Sequence, residues 1–211
     1  MTNTQPRAGA GLPYRAKVII NPAARGGKTS GEWPLISELL KQNGISFDHA
    51  FTESSGHGIE LAREAAEAGY ETIVAVGGDG TVNEVVNGMV GRTDNCKTTL
   101  GIICTGTGRD CIRSLNIPAD YRGACKLIAD RDCVDIDLGL AEYICNGEKK
   151  RRYYINTAAL GFAASVAART KRLKKLGGTI PFLMAFATVF AVYKAKDIAF
   201  DIDGSIRQER H

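Results

Sequence analysis

The 211 residues are enough for one large domain or about one and a half of ordinary size, and an apolar content of 44% supports a real core, which excludes a disordered chain. With 27 basic and 23 acidic residues the formal charge is only +4, too mild to argue for a nucleic-acid partner. Six cysteines, Cys96, Cys104, Cys111, Cys125, Cys133 and Cys145, form no CxxC pair and no zinc-ligand spacing, so they read as the reduced thiols of a cytoplasmic protein.

Residues 1–14 lack the apolar core of a signal peptide and read as a loose leader. Lys17 to Asn21 is a short apolar strand that runs into Asn21-Pro22 and the turn of Arg25-Gly26-Gly27. Leu35, Ile36, Leu39 and Leu40 then mark a helix over Trp33 to Gln42, closed by Asn43-Gly44. Ile45 to Thr52 is a second strand, His57 to Ala68 a helix stopped by Gly69, and Thr72 to Val76 a third strand. That strand enters Gly77-Gly78-Asp79-Gly80-Thr81, after which Val82, Val85, Val86 and Met89 recur at helical spacing. Leu100 to Cys104 is another strand and empties into Thr105-Gly106-Thr107-Gly108. Strands alternating with helices predict a doubly wound parallel α/β sheet over 15–130.

From residue 131 the rhythm changes. CVDIDLGLAEY alternates apolar and polar residues, and Arg152 to Asn156 and Ile198 to Ile202 read as strands, which predicts a β-rich second domain over 131–211. Ile180 to Tyr193 is apolar but shorter than the ~20 residues a membrane-spanning helix needs and carries Pro181, so a buried helix is expected.

Three strand ends open into loops rich in small residues, at Asn21–Gly27, Gly77–Thr81 and Gly106–Asp110. In an open α/β sheet such loops converge on one crevice outside the carboxyl ends of the strands. Bare glycines let backbone amides approach phosphate oxygens, and a helix starting near Thr81 aims its positive end at the same place. Asp79 is the odd member, because a carboxylate repels a polyphosphate unless a divalent cation mediates; it therefore implies Mg2+. The GxxxxGK[ST] spacing of a P-loop is absent, since Gly26-Gly27-Lys28-Thr29 lacks the first glycine. Asp135 and Asp137 read as polar positions along a strand rather than as a catalytic base, and the three histidines offer no metal constellation.

Asn21-Pro22 with Gly26-Gly27, Thr52-Glu53 with Gly56-His57, the run from Gly77 to Gly88, and Leu100 to Ile103 with Gly106-Thr107-Gly108 and Asp110 together resemble the diacylglycerol kinase catalytic domain family. Tyr154-Ile155-Asn156 with Gly161-Phe162 resembles the opening of that family's second domain. The resemblance implies an ATP-dependent lipid kinase, with an α/β nucleotide-binding domain followed by the beginning of a β-sandwich-like domain. Carried over by position, the ATP contacts would be Asn21, Pro22, Ala23, Ala24, Arg25, Thr52, Gly78, Asp79, Gly80, Thr81, Val82, Asn83, Glu84 and Thr107. Asp79 would be the catalytic residue and would organise magnesium indirectly.

Two departures from the family pattern shape the expectations. Arg109 stands where the family's GTGND has asparagine, and no catalytic role is assigned to it. The chain also stops at His211, before the late acidic motif that supplies the family's general base, so a truncated chain of low activity is expected. The expected partners are a lipid at a membrane surface, reached through the cations of Arg169 to Lys175 and the apolar helix, and a second copy of the chain paired through open strand edges. An NAD kinase, a sphingoid-base kinase and a non-catalytic ATP-binding fragment are the alternatives.

Overall fold

A computed structural model describes residues 15–90, 98–173, 180–194 and 197–210. The leader, Cys96, and Lys174, Lys175, Gly177 and Gly178 at and after the end of the Arg169 to Lys175 cations lie outside these residues. Two compact units divide the chain, residues 1–156 and 157–211.

In the first unit, β1 (Arg15–Ile20), β2 (Ser46–Phe51), β3 (Thr72–Gly77) and β4 (Thr99–Cys104) form a parallel sheet in the order β2-β1-β3-β4. The inner strands read as continuous apolar runs because both of their faces are covered. Val18, Ile20, Val74, Val76 and Ile103 pack with Ile36, Leu39 and Leu40 of α1 (Lys28–Gln42) and with Ala124, Cys125 and Ile128 of α5 (Tyr121–Asp130). Ile19, Ile73, Ala75 and Ile102 pack with Ala62 of α2 (His57–Glu67), Val82, Val85 and Met89 of α3 (Asp79–Val90) and Ile112 of α4 (Asp110–Ser114). Each such aliphatic chain stabilises the fold by about 1.5–3 kcal/mol relative to exposure. The chain leaves β1 for β2 on one side and returns to β3 on the other, so the strand order reverses between β1 and β3. That reversal fixes where a crevice opens at the carboxyl ends.

Several elements differ from the sequence expectation, and α4 and α5 were not foreseen. α1 begins at Lys28 rather than Trp33 and carries Pro34 inside. Proline suits a first turn, which draws a sequence reading to start the helix beside it; the actual start follows a short 3-10 turn, Ala24–Gly27, in which Arg25, Gly26 and Gly27 are left-handed. The alternating segment CVDIDLGLAEY becomes a strand only from Gly139, since residues 132–138 have no strand partner and Asp135 and Asp137 are exposed. β5 (Gly139–Cys145) pairs antiparallel with β6 (Glu148–Tyr154) across a turn at Asn146-Gly147, both at positive φ as a two-residue hairpin requires. This hairpin belongs to the first unit, where Leu138, Tyr153 and Ile155 pack against the core around α3.

The second unit holds α6 (Gly161–Leu173) and α7 (Ile180–Val192), and a hairpin of β7 (Asp197–Ile202) with β8 (Ser205–Arg210). Val166, Ala185 and Val189 form its small core, flanked by Phe162 and Tyr193 with ring centroids 5.3 Å apart. The expected burial of α7 is not found. Only Pro181, Ala185 and Val189 of α7 are buried, while Phe182, Leu183 and Phe190 are 56%, 69% and 71% exposed. Small residues on one stripe pack the pair closely and leave the large ones outside. Among the described residues no helix is long and apolar enough to cross a membrane.

Candidate functional site

The three loops expected to meet do meet, and their side chains and missing side chains explain how. The Asn21 amide nitrogen donates to the Thr81 hydroxyl at 3.0 Å, while its oxygen accepts from the backbone N–H of Ala23 at 3.1 Å. Asn21 thus shapes its own turn and ties it to the first turn of α3. Thr29 and Thr105, both buried, share a hydroxyl hydrogen bond of 2.6 Å that joins the first loop to the third. The backbone N–H of Thr105 donates to the carbonyl of Gly77 at 2.9 Å, and a Cβ on Gly106 would stand 2.5 Å from the Cα of Gly78. A Cβ on Gly77 would meet the Thr81 hydroxyl at 2.4 Å. Part of the glycine content is therefore explained by loop against loop, before any ligand is considered.

Asp79 opens α3 in the middle of this contact. One carboxylate oxygen accepts from the backbone N–H of Cys111 at 3.1 Å. The other lies 2.7 Å from the place a Gly108 Cβ would occupy, and an Asp110 oxygen lies 3.7 Å from the same place. Two carboxylates thus flank one glycine at the mouth of the crevice. Among the described residues no group of three His, Cys, Asp or Glu could hold a metal. Magnesium does not need one, because it keeps several waters and takes one or two carboxylates alongside substrate phosphates. The donor set fits that mode of binding.

The remaining expected residues divide by what they touch. Pro22, Ala23 and Ala24 form the first turn, and Arg25 is ion-paired to Glu32 at 2.8 Å. Glu32 also accepts from the Tyr121 hydroxyl at 2.7 Å; burial first, then this bond, pushes the Tyr121 pKa up to about 12. Gly78 and Gly80 line the crevice loop, and Thr107 is exposed on the third loop. Thr52 is buried at the end of β2, held by its backbone N–H on the Ile20 carbonyl at 2.8 Å. The Val82 side chain lies in the core, and its backbone N–H is directed to the Gly78 carbonyl at 3.1 Å. Glu84 accepts from the backbone N–H groups of Gly56 and Gly58 at 2.9 and 3.2 Å, so it caps the start of α2 from α3. Asn83 and Asn87 face β6: both donate to the Tyr153 carbonyl, at 3.0 and 2.9 Å, and Asn87 accepts the Tyr153 N–H at 2.9 Å.

Sequence reasoning missed β6 as a neighbour of the crevice. Arg152 to Asn156 reads in the sequence as a strand of a second domain, and the only earlier sign of its place was the pair of asparagines four residues apart in α3. A groove of about 610 Å³, bounded by Glu53, Ser54, His57, Arg63 and Asn87, lies beside α2 and α3 rather than between the three loops. The groove also borders a helix start, that of α2, but Glu84 already accepts from the N–H groups of Gly56 and Gly58 there; the start of α3 in the crevice, with Asp79 and Asp110 beside it, suits a metal-bound polyphosphate. Cys104 and Cys111 border the third loop; burial first, then the Asp79 charge, raises the Cys111 thiol to about 11, so it is inert at neutral pH.

The family model for the diacylglycerol kinase catalytic domain matches residues 15–141. Curated relatives named diacylglycerol kinase from Staphylococcus aureus, strains bovine RF122 / ET3-1 and MRSA252, are each 32% identical over 195 residues, 92% of this chain and 59% of theirs. The chain therefore spans about three fifths of the length of the curated relatives it matches. The crystal structure of a diacylglycerol kinase from Bacillus anthracis str. Sterne superposes with a TM-score of 0.67 at 24% identity, covering 93% of this chain and 61% of the other. At that identity the likeness is one of fold.

Proposed function

The chain belongs to the diacylglycerol kinase catalytic domain family, and on that premise we propose that its crevice binds Mg-ATP for transfer of the γ-phosphoryl group to a lipid hydroxyl such as that of diacylglycerol. The observation that carries this reading is Asp79, held by the Cys111 N–H at the start of α3 where three glycine-bearing loops are pinned together. In-line phosphoryl transfer is mostly positioning and charge stabilisation, so a rigid, amide-rich crevice is the appropriate device. Magnesium, when bound, would be held by Asp79 with Asp110 beside it, and would spread the charge of the polyphosphate. The protein's own groups do the rest: Asn21 and Thr81 fix the first loop against α3, Thr29 and Thr105 fix the third, and the start of α3 faces the phosphates. We place this chemistry in the cytoplasm at a membrane surface. Exposed Phe182, Leu183 and Phe190 of α7, which follow the cations of Arg169 to Lys175 in sequence, support a peripheral encounter with a bilayer.

Radiolabelled ATP with mixed diacylglycerol micelles tests the transfer, and titration calorimetry with Mg-ATP tests the site. Asp79→Asn is expected to lower turnover by about 10²–10³-fold, as loss of a preorganised charge in a reactive site does, and to remove magnesium-dependent ATP binding. Saturable Mg-ATP binding unchanged in Asp79→Asn would refute the assignment.

A further inference from the structure

A magnesium-bound polyphosphate keeps net negative charge, yet the crevice already presents the carboxylates of Asp79 and Asp110. Of the four cations in or beside these loops two are committed, and Lys28, next to the first loop, is exposed. Arg25 is paired with Glu32 at 2.8 Å and Arg113 with Asp110 at 3.4 Å, while Arg109 is exposed at a left-handed position.

Arg152 is placed differently. From β6 it reaches α3 and donates Nε and Nη2 to the side-chain oxygen of Asn83 at 3.0 and 2.9 Å. That acceptor is neutral, and none of the ion pairs among the described residues includes Arg152. Asn83 follows Asp79 by four residues on one helix, so the two side chains share a face one turn apart, with Cβ atoms about 5–6 Å from each other.

Bracing β6 does not require a charge there. Asn83 and Asn87 already engage the carbonyl of Tyr153, and Asn87 its N–H. A half-buried guanidinium with only an amide for company forfeits hydration without gaining a counter-charge, a cost that an arriving anion would offset. Two of its five N–H donors are used on Asn83. The others remain on a planar fork whose geometry suits phosphate oxygens.

We propose that Arg152 is a phosphate-oxygen ligand of this crevice, pre-positioned by Asn83 one helical turn below Asp79. The assignment rests on the kinase reading and deepens it. The oxyanion has two sources with the same chemistry, the phosphates of the nucleotide and the phosphomonoester of the lipid product.

Calorimetry on the full chain, with Arg152→Gln and Arg152→Lys, separates them. The titrants are Mg-ATP and adenosine, and mixed micelles containing phosphatidate or diacylglycerol. If the nucleotide is the source, Arg152→Gln weakens Mg-ATP about tenfold or more while adenosine stays within about twofold, and Arg152→Lys, which keeps the charge but not the fork, recovers part of the loss. If the product is the source, phosphatidate binding falls by a similar factor and diacylglycerol binding does not. Ratios of Mg-ATP to adenosine and of phosphatidate to diacylglycerol that both equal those of the wild type overturn the proposal, as does an equal loss for every titrant, which marks damage to the fold. A wild-type chain that binds neither nucleotide nor phosphatidate removes the kinase reading and this residue's role with it; wild-type binding indifferent to Arg152 removes only the latter.

Discussion

Gly106 shows at the residue scale why the loops of this crevice tolerate no side chain at their contact. A Cβ there would stand 2.5 Å from the Cα of Gly78, and backbone cannot rotate away as a flexible side chain can. Gly106→Ala is expected to cost about 1–3 kcal/mol, the usual range for overpacking, measured as a shift in the urea midpoint, and to weaken Mg-ATP binding more than the stability loss alone explains; unchanged values for both would show that the loops can part. The glycines and Asp79 were legible in the sequence because bare residues around a single carboxylate at a strand end stand out as a motif, and close loop-to-loop contact explains part of them. Asn83, Glu84 and Asn87 were legible as a motif but not as contacts. Their partners, Arg152 and Tyr153 on β6 and Gly56 and Gly58 at α2, lie 26 to 70 residues away, and nothing local encodes such pairings. Arg109 gained a physical reading only from its left-handed backbone, φ 59, a conformation that asparagine tolerates better than arginine.

At the scale of elements, α1 and α5 are linked by the Tyr121 hydroxyl on Glu32, which in turn holds Arg25 of the first loop. Because the folded state raises the Tyr121 pKa from 10.0 to about 12, its contribution is fully present below pH 10 and is lost as pH rises through about 12. Tyr121→Phe should flatten part of the alkaline loss of stability in that window and cost about 1 kcal/mol at neutral pH through the missing hydrogen bond; circular dichroism melts at stepped pH measure both, and an alkaline slope identical to the wild type would exclude the link. Tyr70, raised chiefly by its hydrogen bond to Asp48, keeps part of the slope in the variant. The order from β1 to β4, with α1, α2 and α3 between the strands, was readable from period, because strands buried on two faces and helices buried on one differ in pattern; α4 and α5 were not foreseen. The start of α1 and the extended segment 132–138 were not. Each depends on a tertiary partner, the Thr29–Thr105 hydroxyl bond in the first case and the lack of any paired strand in the second.

For the whole molecule, the sheet and its crevice were foreseeable and the arrangement of the second unit was not, since an apolar run does not disclose which of its sides will find a neighbour. α7 leaves Phe182 and Phe190 outside. With anionic vesicles the chain is expected to sediment, and a Phe182→Ser, Phe190→Ser variant to remain largely in the supernatant with its melting temperature nearly unchanged, as exposed substitutions shift stability by only about 0.5 kcal/mol. Equal sedimentation of both proteins would exclude α7 as the contacting face. The meeting of Gly78 with Gly106 has a consequence for anyone wishing to move these loops elsewhere. The aspartate-bearing loop cannot be transplanted as a cassette: the host scaffold must also receive the neighbouring loop, because each is the other's mould.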